Sequence, residues 1–248
     1  MLNPRKILVI RFSSLGDLVL TTPIFRELKR FYPDAEITLL TSSGLGSVLD
    51  NNPQIDHVIM HSRKETRMQL KFLIQNLRKE KYDLIYDAHR SLRSIWIVWN
   101  LSGFGILKKP EVWSINKRSW QRSLLIRLKL NLLKKTDPQR LHLLRPLQTH
   151  TNLELHNQTE LFPDKSAILR TQEFLKKHNL QPKQFVAIGP SASYPLKCWP
   201  LEYFQVLISN LLEQGWHVVL VGAAEEKETT QLEEKFSGRV QSVAGLFS

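Results

Sequence analysis

The sequence predicts an α/β fold of two parallel-sheet domains, the second of them incomplete. Short apolar runs rich in β-branched residues alternate with amphipathic helical patterns, which is typical of a parallel sheet with helices on both faces. The pattern is lost over residues 136–164, which are rich in Pro, Asn, Thr and Gln, and then restarts. We therefore place an N-terminal domain at 1–150, a linker at 151–164 and a partial C-terminal domain at 165–248.

The elements of the first domain follow from local patterns. Continuous apolar runs predict buried strands, and apolar residues at three- and four-residue spacing predict helices. The predicted strands are, in chain order, KILVIRF, EITLLTS, HVIMH and YDLIYDAH. The predicted helices are DLVLTTPIFRELKRFYP, MQLKFLIQNLRKEK and LRSIWIVWNLSG. A basic amphipathic segment at 119–135 is predicted to be a helix that covers the sheet, with contact to a membrane surface as the alternative.

The second domain repeats the alternation with fewer elements. Its predicted helices are SAILRTQEFLKKHNL, LEYFQVLISNLLEQG and EEKETTQLEEKF, and its predicted strands are FVAIGPS, HVVLVGA and VQSVAG. A doubly wound domain needs roughly five or six strands to bury its helices. Three strands are too few, so we expect that the domain is incomplete, with an unusually small second domain as the alternative.

The charge of the chain is unevenly distributed. Residues 1–150 contain 26 Lys and Arg against 12 Asp and Glu, a net charge of +14, whereas residues 151–248 carry −2. A one-sided basic surface is typical of proteins that meet nucleic acid, an acidic membrane or a phosphorylated substrate. A solvated basic face without a partner is an equal alternative. The basic stretches lack interleaved aromatic residues, so no nucleic-acid partner is expected.

Several kinds of site are excluded by the residues present. Neither G-x-G-x-x-G nor a Walker A loop occurs, which argues against a dehydrogenase. One cysteine, Cys198, and eight His residues without a ligand-pair spacing leave no zinc pattern. We therefore expect no metal. No apolar run reaches the roughly 18 residues that a membrane span requires.

The first candidate site is the stretch Ser13-Ser14-Leu15-Gly16-Asp17, which follows the first strand. Ligands of open parallel sheets bind beyond the carboxyl ends of the strands. Gly16 allows a tight turn and close backbone approach, and Asp17 falls at or near a helix N-terminus. Ser, Gly and Asp are also common turn and N-cap residues, so spacing alone favours a capping role for Asp17 over a chemical one.

The second candidate site is GPSASYPLKCWPLEYF, residues 189–204, which follows the first strand of the second domain. The small residues around Ser191 and Ser193 leave backbone N–H groups and hydroxyls open to an anion, and Lys197 adds a point charge. The alternative is a plain loop in which Trp199 packs as core.

Two further stretches contain weaker candidates for site residues. Glu225 lies in VVLVGAAEEKE, in the predicted first turn of a helix, where acidic residues commonly face the helix dipole. Arg63 and Lys64 lie in HSRKETR, between predicted elements, where they are candidates to contact anionic groups of a ligand. A solvated loop is the alternative for this basic stretch.

Four motifs together resemble the family 9 glycosyltransferases, the bacterial heptosyltransferases of the lipopolysaccharide inner core. They are ILVIRFSSLGDLVLTTPIFRELKRFYP, YDLIYDAHRSLRS, GPSASYPLKCWPLEYF and VVLVGAAEEKE, and their order is that of the family. The resemblance covers nearly the whole chain. It implies a GT-B architecture of two Rossmann-like domains, and a cytoplasmic enzyme at the cytoplasmic face of the inner membrane. It also implies an ADP-heptose donor held by the C-terminal domain and a lipopolysaccharide acceptor held by the N-terminal one.

The resemblance also implies roles for individual residues. Asp17 matches the catalytic base. The remaining acceptor-side candidates are Ser13, Ser14 and Gly16 of the same loop, together with the basic residues Arg63 and Lys64. The donor-side candidates are Lys197 at the diphosphate, Ser191 and Ser193 in the phosphate loop, and Glu225 near the nucleoside. Cys198 is given no role.

The implied chemistry needs one carboxylate. A sugar hydroxyl is a poor nucleophile and gains from a general base, whereas a nucleoside diphosphate leaves as a stable anion without an acid partner, unlike the leaving group of a glycosidase. One departure from the family is that the chain ends at Ser248, before an S-x-D-T-G-x-x-H-like segment of the donor site. We therefore expect weak ADP binding and poor transfer by this polypeptide. The alternative is an impaired homologue that only binds the anionic acceptor.

Overall fold

The chain divides into two compact units, Met1–Phe162 and Pro163–Ser248. The computed structural model describes residues 3–62, 64, 66–103, 109–117, 119–130, 138–151, 154–192 and 194–246. We refer to the two compact units as unit 1 and unit 2. The point of division lies within the stretch predicted as a linker, and each unit contains its own parallel sheet.

Unit 1 is built on a five-stranded parallel sheet in the order β3-β2-β1-β4-β5. The strands are β1 (Lys6–Ile10), β2 (Glu36–Ser42), β3 (His57–His61), β4 (Leu84–Asp87) and β5 (Glu111–Ser114). The central strand pairs Ile10 with Leu40 on one side and with Asp87 on the other. The carboxyl ends of β1, β2 and β4 are therefore aligned, and the loops that follow them meet at one edge. Strand β5 was missed by the sequence reasoning because four residues carry too little periodicity.

Six helices are described in unit 1. They are α1 (Leu15–Val19), α2 (Thr22–Phe31), α3 (Arg67–Glu80), α4 (Leu92–Ser102), α5 (Ser119–Leu128) and α6 (Gln139–Thr151). The single helix predicted after β1 is wrong, since it is divided into α1 and α2. The Thr21 hydroxyl donates to the carbonyl of Leu18 at 2.5 Å, and Pro23 has no N–H to continue the first helix but suits the first turn of the second.

The loss of pattern predicted from residue 136 onward is also wrong in part, because it overlaps α6. Three leucines of this helix, Leu143, Leu144 and Leu147, are buried in the core. Pro146 lies inside the helix, and a proline is not expected at an interior helical position, so the sequence pattern did not indicate a helix here. Residues 131–135, the end of the basic segment predicted as helical, lie outside the described residues.

Both faces of the unit 1 sheet are covered, which explains the continuous apolar run of β1. Ile7 and Val9 point into the core beneath α1, α2 and α6, and Leu8 and Ile10 point into the core beneath α3 and α4. All four side chains are fully buried. A strand that must be apolar on both faces shows no polar alternation.

Part of the predicted linker lies against α2. Arg26 donates to the carbonyl of His156 at 2.8 Å, and Arg30 donates to the carbonyl of Glu154 at 2.8 Å. Arg26 also pairs with the carboxylate of Glu160. The stretch from residue 154 to residue 160 is thereby fastened to unit 1.

Unit 2 is built on a three-stranded parallel sheet in the order β6-β7-β8. Its strands are β6 (Phe185–Ile188), β7 (His217–Leu220) and β8 (Gln241–Ser242), and its helices are α7 (Lys165–Lys177), α8 (Leu201–Glu213) and α9 (Lys227–Lys235). The predicted parallel α/β class and the small second sheet are confirmed. Across the described parts of both units, we find no helix with the length and apolarity to cross a bilayer.

One carboxylate ties the loop before β3 to the start of β2. Asp56 accepts the Ile37 N–H at 2.6 Å and the Lys29 ammonium at 2.8 Å. Burial acts to raise the pKa of Asp56, but these two donors outweigh it and hold the pKa below its usual value. The ionised form is therefore the one that stabilises the fold.

We predict that Asp56→Asn lowers the free energy of unfolding by about 0.5–1 kcal/mol at pH 7, a value discounted because the carboxylate is partly exposed. A depressed folded-state pKa stabilises the fold above the unfolded pKa of about 4 and loses its effect as the pH falls through the folded value. Urea unfolding should therefore show the two proteins converging in acid. Asp34→Asn, at an exposed turn residue, is the matched control, and a gap that is independent of pH would contradict the assignment.

Candidate active site

A cavity of about 430 Å³ opens at the carboxyl ends of β1, β2 and β3. It is lined by Ser13, Ser14, Leu15, Ser42, Ser43, Leu45, Ser62 and Lys64. Five hydroxyls and one ammonium offer hydrogen bonds to sugar hydroxyls and a charge to an anion. This edge of a parallel sheet is the usual place for a ligand.

The cavity brings together three of the predicted acceptor-side residues, Ser13, Ser14 and Lys64. Gly16 is not part of its lining, but a Cβ added there would meet nothing within 4 Å. Packing therefore gives no reason for a glycine at this position, and the space beside it is open. Arg63 lies outside the described residues.

Asp17 is the third residue of α1, and Ser14 is the N-cap. The capping position that the sequence suggested for Asp17 thus belongs to Ser14. Oδ2 of Asp17 accepts the Ser14 N–H at 3.3 Å and lies 2.5 Å from Nη2 of Arg11. Among the described residues no hydrogen bond reaches Oδ1. The Asp17 side chain is 35% exposed, so one oxygen is fixed and the other is available to a ligand.

Arg11 is a functional candidate that the sequence reasoning missed. It follows β1 directly, is only 5% exposed, and donates through Nη1 to the carbonyl of Ala88 at 2.6 Å. Burial lowers the pKa of Arg11, and the carboxylates of Asp17 and Asp87 act in the opposite direction. A buried guanidinium needs a counter-ion. The signal in the sequence was an arginine at the end of an otherwise apolar strand.

A second carboxylate lies at the same edge of the sheet but is fully engaged. Asp87 ends β4 and accepts the N–H groups of His89 and Arg90 at 3.0 and 2.7 Å through Oδ1. The Ser94 hydroxyl donates to Oδ2 at 3.0 Å. Burial raises the pKa of Asp87, and these donors oppose that effect. Asp87 therefore holds the loop after β4 against α4, whereas Asp17 keeps a free oxygen.

In unit 2, a glycine follows each of the three strands. These residues are Gly189, Gly222 and Gly245. A Cβ on Gly222 would lie 2.2 Å from the Glu226 carboxylate, and one on Gly245 would lie 2.5 Å from the Cβ of Ala224. The chain segments after β7 and β8 thus approach closely because two of these positions lack side chains.

The predicted phosphate loop contacts the start of α9. The Ser191 hydroxyl donates to Oε2 of Glu228 at 3.1 Å. Glu225 is exposed in the turn before the helix, whose N-cap is Glu226. The prediction that Glu225 lies in the first helical turn is therefore wrong by two residues. Ser193 lies outside the described residues.

Lys197 ends a short 3₁₀ turn (Pro195–Lys197) and is exposed. Its ammonium makes no hydrogen bond or ion pair with another residue in the described part of the chain. Trp199 is 49% exposed and its ring lies against those of Tyr203 and Phe204, with centroids 5.4 and 5.1 Å away. The alternative in which Trp199 is buried as core is therefore wrong. The loop presents a free cation and a half-exposed indole at its surface.

Metal ligands do not cluster in the residues that the structure describes. We find there no group of three or more His, Cys, Asp or Glu side chains able to hold an ion. Cys198 is half-buried, and its thiol lies 3.6 Å from the carbonyl of Ala192.

We predict that Arg11 and Asp17 are energetically coupled. Asp17→Asn leaves a buried guanidinium without its counter-ion and should cost about 2–3 kcal/mol of unfolding free energy. Arg11→Met should cost a similar amount, but the double variant should cost about 1–2 kcal/mol less than the sum. Chemical denaturation of the three variants measures this coupling.

The matched control for this cycle pairs Arg11→Met with Asp50→Asn, which changes an exposed and distant carboxylate. These two substitutions should be additive within about 0.5 kcal/mol. If the unfolding free energies lost in Arg11→Met and Asp17→Asn also prove additive, the ion pair does not couple the end of β1 to α1.

Comparison with known proteins identifies the family. Residues 71–246 match the model of glycosyltransferase family 9 (heptosyltransferase). Lipopolysaccharide heptosyltransferase 3 of Escherichia coli is 27% identical over 233 residues, which are 90% of this chain and 65% of that protein. The chain thus spans about two thirds of the length of this relative.

Two solved structures share the fold. The family 9 glycosyl transferase of Veillonella parvula DSM 2008 has a TM-score of 0.76 at 21% identity, covering 98% of this chain and 70% of its own. E. coli heptosyltransferase WaaC with ADP-2-deoxy-2-fluoro heptose has a TM-score of 0.65 at 17% identity, covering 98% and 77%. The expected GT-B class and the resemblance drawn from the motifs are confirmed, and the chain belongs to glycosyltransferase family 9.

Proposed function

We propose that this chain transfers a heptose from ADP-heptose to the lipopolysaccharide inner core, with inversion at the anomeric carbon and with Asp17 as general base. The observation that carries the proposal is the half-engaged Asp17 carboxylate, which is bonded to Ser14 of the serine-lined cavity and has Oδ1 open. The family and the names of the relatives support the reaction class.

On the acceptor side, one oxygen of the Asp17 carboxylate is held in place and the other is available to accept a proton. Arg11 and Ser14 hold Oδ2, and Oδ1 is left without a hydrogen bond from the described residues. As the acceptor hydroxyl attacks the anomeric carbon, its proton passes to Oδ1 of Asp17, and the bond from that carbon to the phosphate oxygen breaks. ADP leaves as an anion, so no acid is needed on the leaving group. The new bond forms on the face opposite the one that breaks, and the configuration inverts.

On the donor side, unit 2 offers a small number of groups for the diphosphate. Lys197 and the loop containing Ser191 and Ser193 stabilise the charge that builds on the leaving phosphate, together with the backbone N–H groups of that loop. Glu225 binds nucleoside hydroxyls. In this scheme the ammonium takes the part that a divalent cation has in other nucleotide-sugar enzymes, and we propose that no metal takes part.

The acceptor fits the charge of unit 1. Phosphates and sugar-acid carboxylates of a lipopolysaccharide core are anionic, and the first 150 residues carry +14. Lys64 in the cavity, and Arg63 beside it in the sequence, supply local cations. We place the chain at the cytoplasmic face of the inner membrane, where such an acceptor is made.

We predict that Asp17→Asn lowers heptose transfer about 10²–10⁴-fold, because an amide cannot accept the proton. ADP affinity, measured by calorimetry, should stay within twofold of the unmodified chain. Transfer is followed by mass spectrometry of a lipopolysaccharide acceptor with ADP-heptose, and Asp50→Asn serves as the matched carboxylate control. Unchanged turnover would remove Asp17 from the mechanism. Acceptor binding without transfer by the unmodified chain would instead favour a module that only binds.

We predict opposite effects of two substitutions on ADP affinity. Lys197→Met removes the free cation and should weaken binding about tenfold. Glu228→Gln removes a negative charge 3.1 Å from the Ser191 hydroxyl and should strengthen binding a few-fold, since both the charge repulsion and the competition for that hydroxyl decrease. Glu233→Gln, at an exposed site further along α9, is the control. Equal weakening by Lys197→Met and Glu228→Gln would show that neither acts through the phosphates.

A further inference from the structure

The outer sides of α3 and α4 carry an unusual set of exposed apolar side chains. Their inner sides are buried through Ile74, Leu77, Ile97 and Leu101. The opposite sides carry Met68, Phe72, Leu92, Ile95, Trp96 and Trp99. We call these six residues the α3–α4 face. Leu92 is 88% exposed, Met68 80% and Trp99 64%, and exposed apolar groups of this size gathered on one side of a protein mark an interaction surface.

The two helices lie side by side and point the same way. Nε and Nη2 of Arg78, near the end of α3, donate to the carbonyl of Asn100, near the end of α4, at 3.0 and 2.8 Å. Each helix follows a strand of the parallel sheet, so both begin at its carboxyl edge. At that edge, Arg93 in the first turn of α4 donates to the carbonyl of Ser62 at 3.4 Å.

The α3–α4 face therefore begins at the same edge as the cavity. All six of its residues fall in the first half of α3 or the first eight residues of α4. Ser62 and Lys64, which lead into α3, line the serine-rich cavity. A binding partner that covers the α3–α4 face would therefore lie beside the opening of the cavity.

Cations surround the apolar residues. Helix α3 has four basic residues, Arg67, Lys71, Arg78 and Lys79, and one acid, Glu80, while the only charged residue of α4 is Arg93. Lys71 and Lys79 are exposed on the same outer side as Phe72. A surface that combines indole rings, aliphatic side chains and lysines fits the anionic headgroup region of a bilayer.

We propose that the α3–α4 face docks unit 1 onto an anionic lipid bilayer, with Trp96 and Trp99 among the headgroups. A second copy of the chain fits less well, because a symmetric contact would bring two cationic faces together. The proposal rests on the proposed function only in that the acceptor is lipid-linked. Docking beside the cavity shortens the distance between Asp17 and a sugar that projects from the membrane.

The test is co-sedimentation of the full chain with vesicles of phosphatidylcholine containing 30% or no phosphatidylglycerol, free of lipopolysaccharide. We expect binding to the anionic vesicles, weakened at least fivefold by 0.5 M NaCl. Leu92→Ser with Trp99→Ser should lower the partition coefficient about tenfold, as should Lys71→Glu with Lys79→Glu. Val206→Ser, which changes a residue of α8 that is 58% exposed, is the control and should bind as the unmodified chain does.

The outcomes separate this proposal from the proposed function. The substituted side chains are exposed, so circular dichroism and the thermal midpoint should not change. The Asp17→Asn variant should bind vesicles as the unmodified chain does, even though it does not transfer sugar. Absence of binding to the anionic vesicles, or equal binding by the face variants, would overturn the proposal. Sedimentation velocity that shows a dimer lost in Leu92→Ser with Trp99→Ser would assign the face to a second copy instead.

Discussion

A buried guanidinium organises the functional edge of unit 1. Arg11 leaves the central strand at the point where the loops after β1 and β4 meet, and it bonds to Ala88 of one loop and Asp17 of the other. A cation removed from water at such a site needs a counter-ion. The position of α1, the orientation of Asp17 and the conformation of the loop after β4 therefore depend on one another. The aligned carboxyl ends of β1 and β4 make this arrangement possible.

The same constraint explains why two neighbouring carboxylates have different roles. Asp87 is only 1% exposed and accepts three hydrogen bonds from its own loop and from α4, so a substrate does not reach it. Asp17 is held through a single oxygen by Arg11 and Ser14 and is partly exposed. The proposed general base has to be fixed in position yet able to accept a proton, and of these two carboxylates Asp17 has the hydrogen-bond pattern that meets both requirements.

Local patterns predicted the main sheet of unit 1 and the loop containing Asp17, because a strand buried on both faces is a continuous apolar run and a parallel sheet gathers its sites at one edge. These local patterns did not predict the features that depend on tertiary contacts. Strand β5 is short and is defined by pairing with β4, and Pro146 hides the helical period of α6. The role of Arg11 was out of reach because its partners, Asp17 and Ala88, are set by strand alignment and not by sequence spacing. The α3–α4 face was not predicted. The spacing of apolar residues along a helix shows which side is buried, but it does not show the role of apolar residues on the opposite side.

Under the proposed function, the two units recognise anions by different physical means. Unit 1 carries a large excess of positive charge, and a field of that kind attracts a polyanionic acceptor from a distance and in several orientations. Unit 2 has no such field, and the start of α9 places Glu228 against Ser191 of the phosphate loop. In the proposed scheme a diphosphate is held by short, directional contacts from Lys197 and from backbone N–H groups. Salt should therefore weaken acceptor binding far more than donor binding, because ionic screening acts on the long-range field and much less on contacts made within a loop.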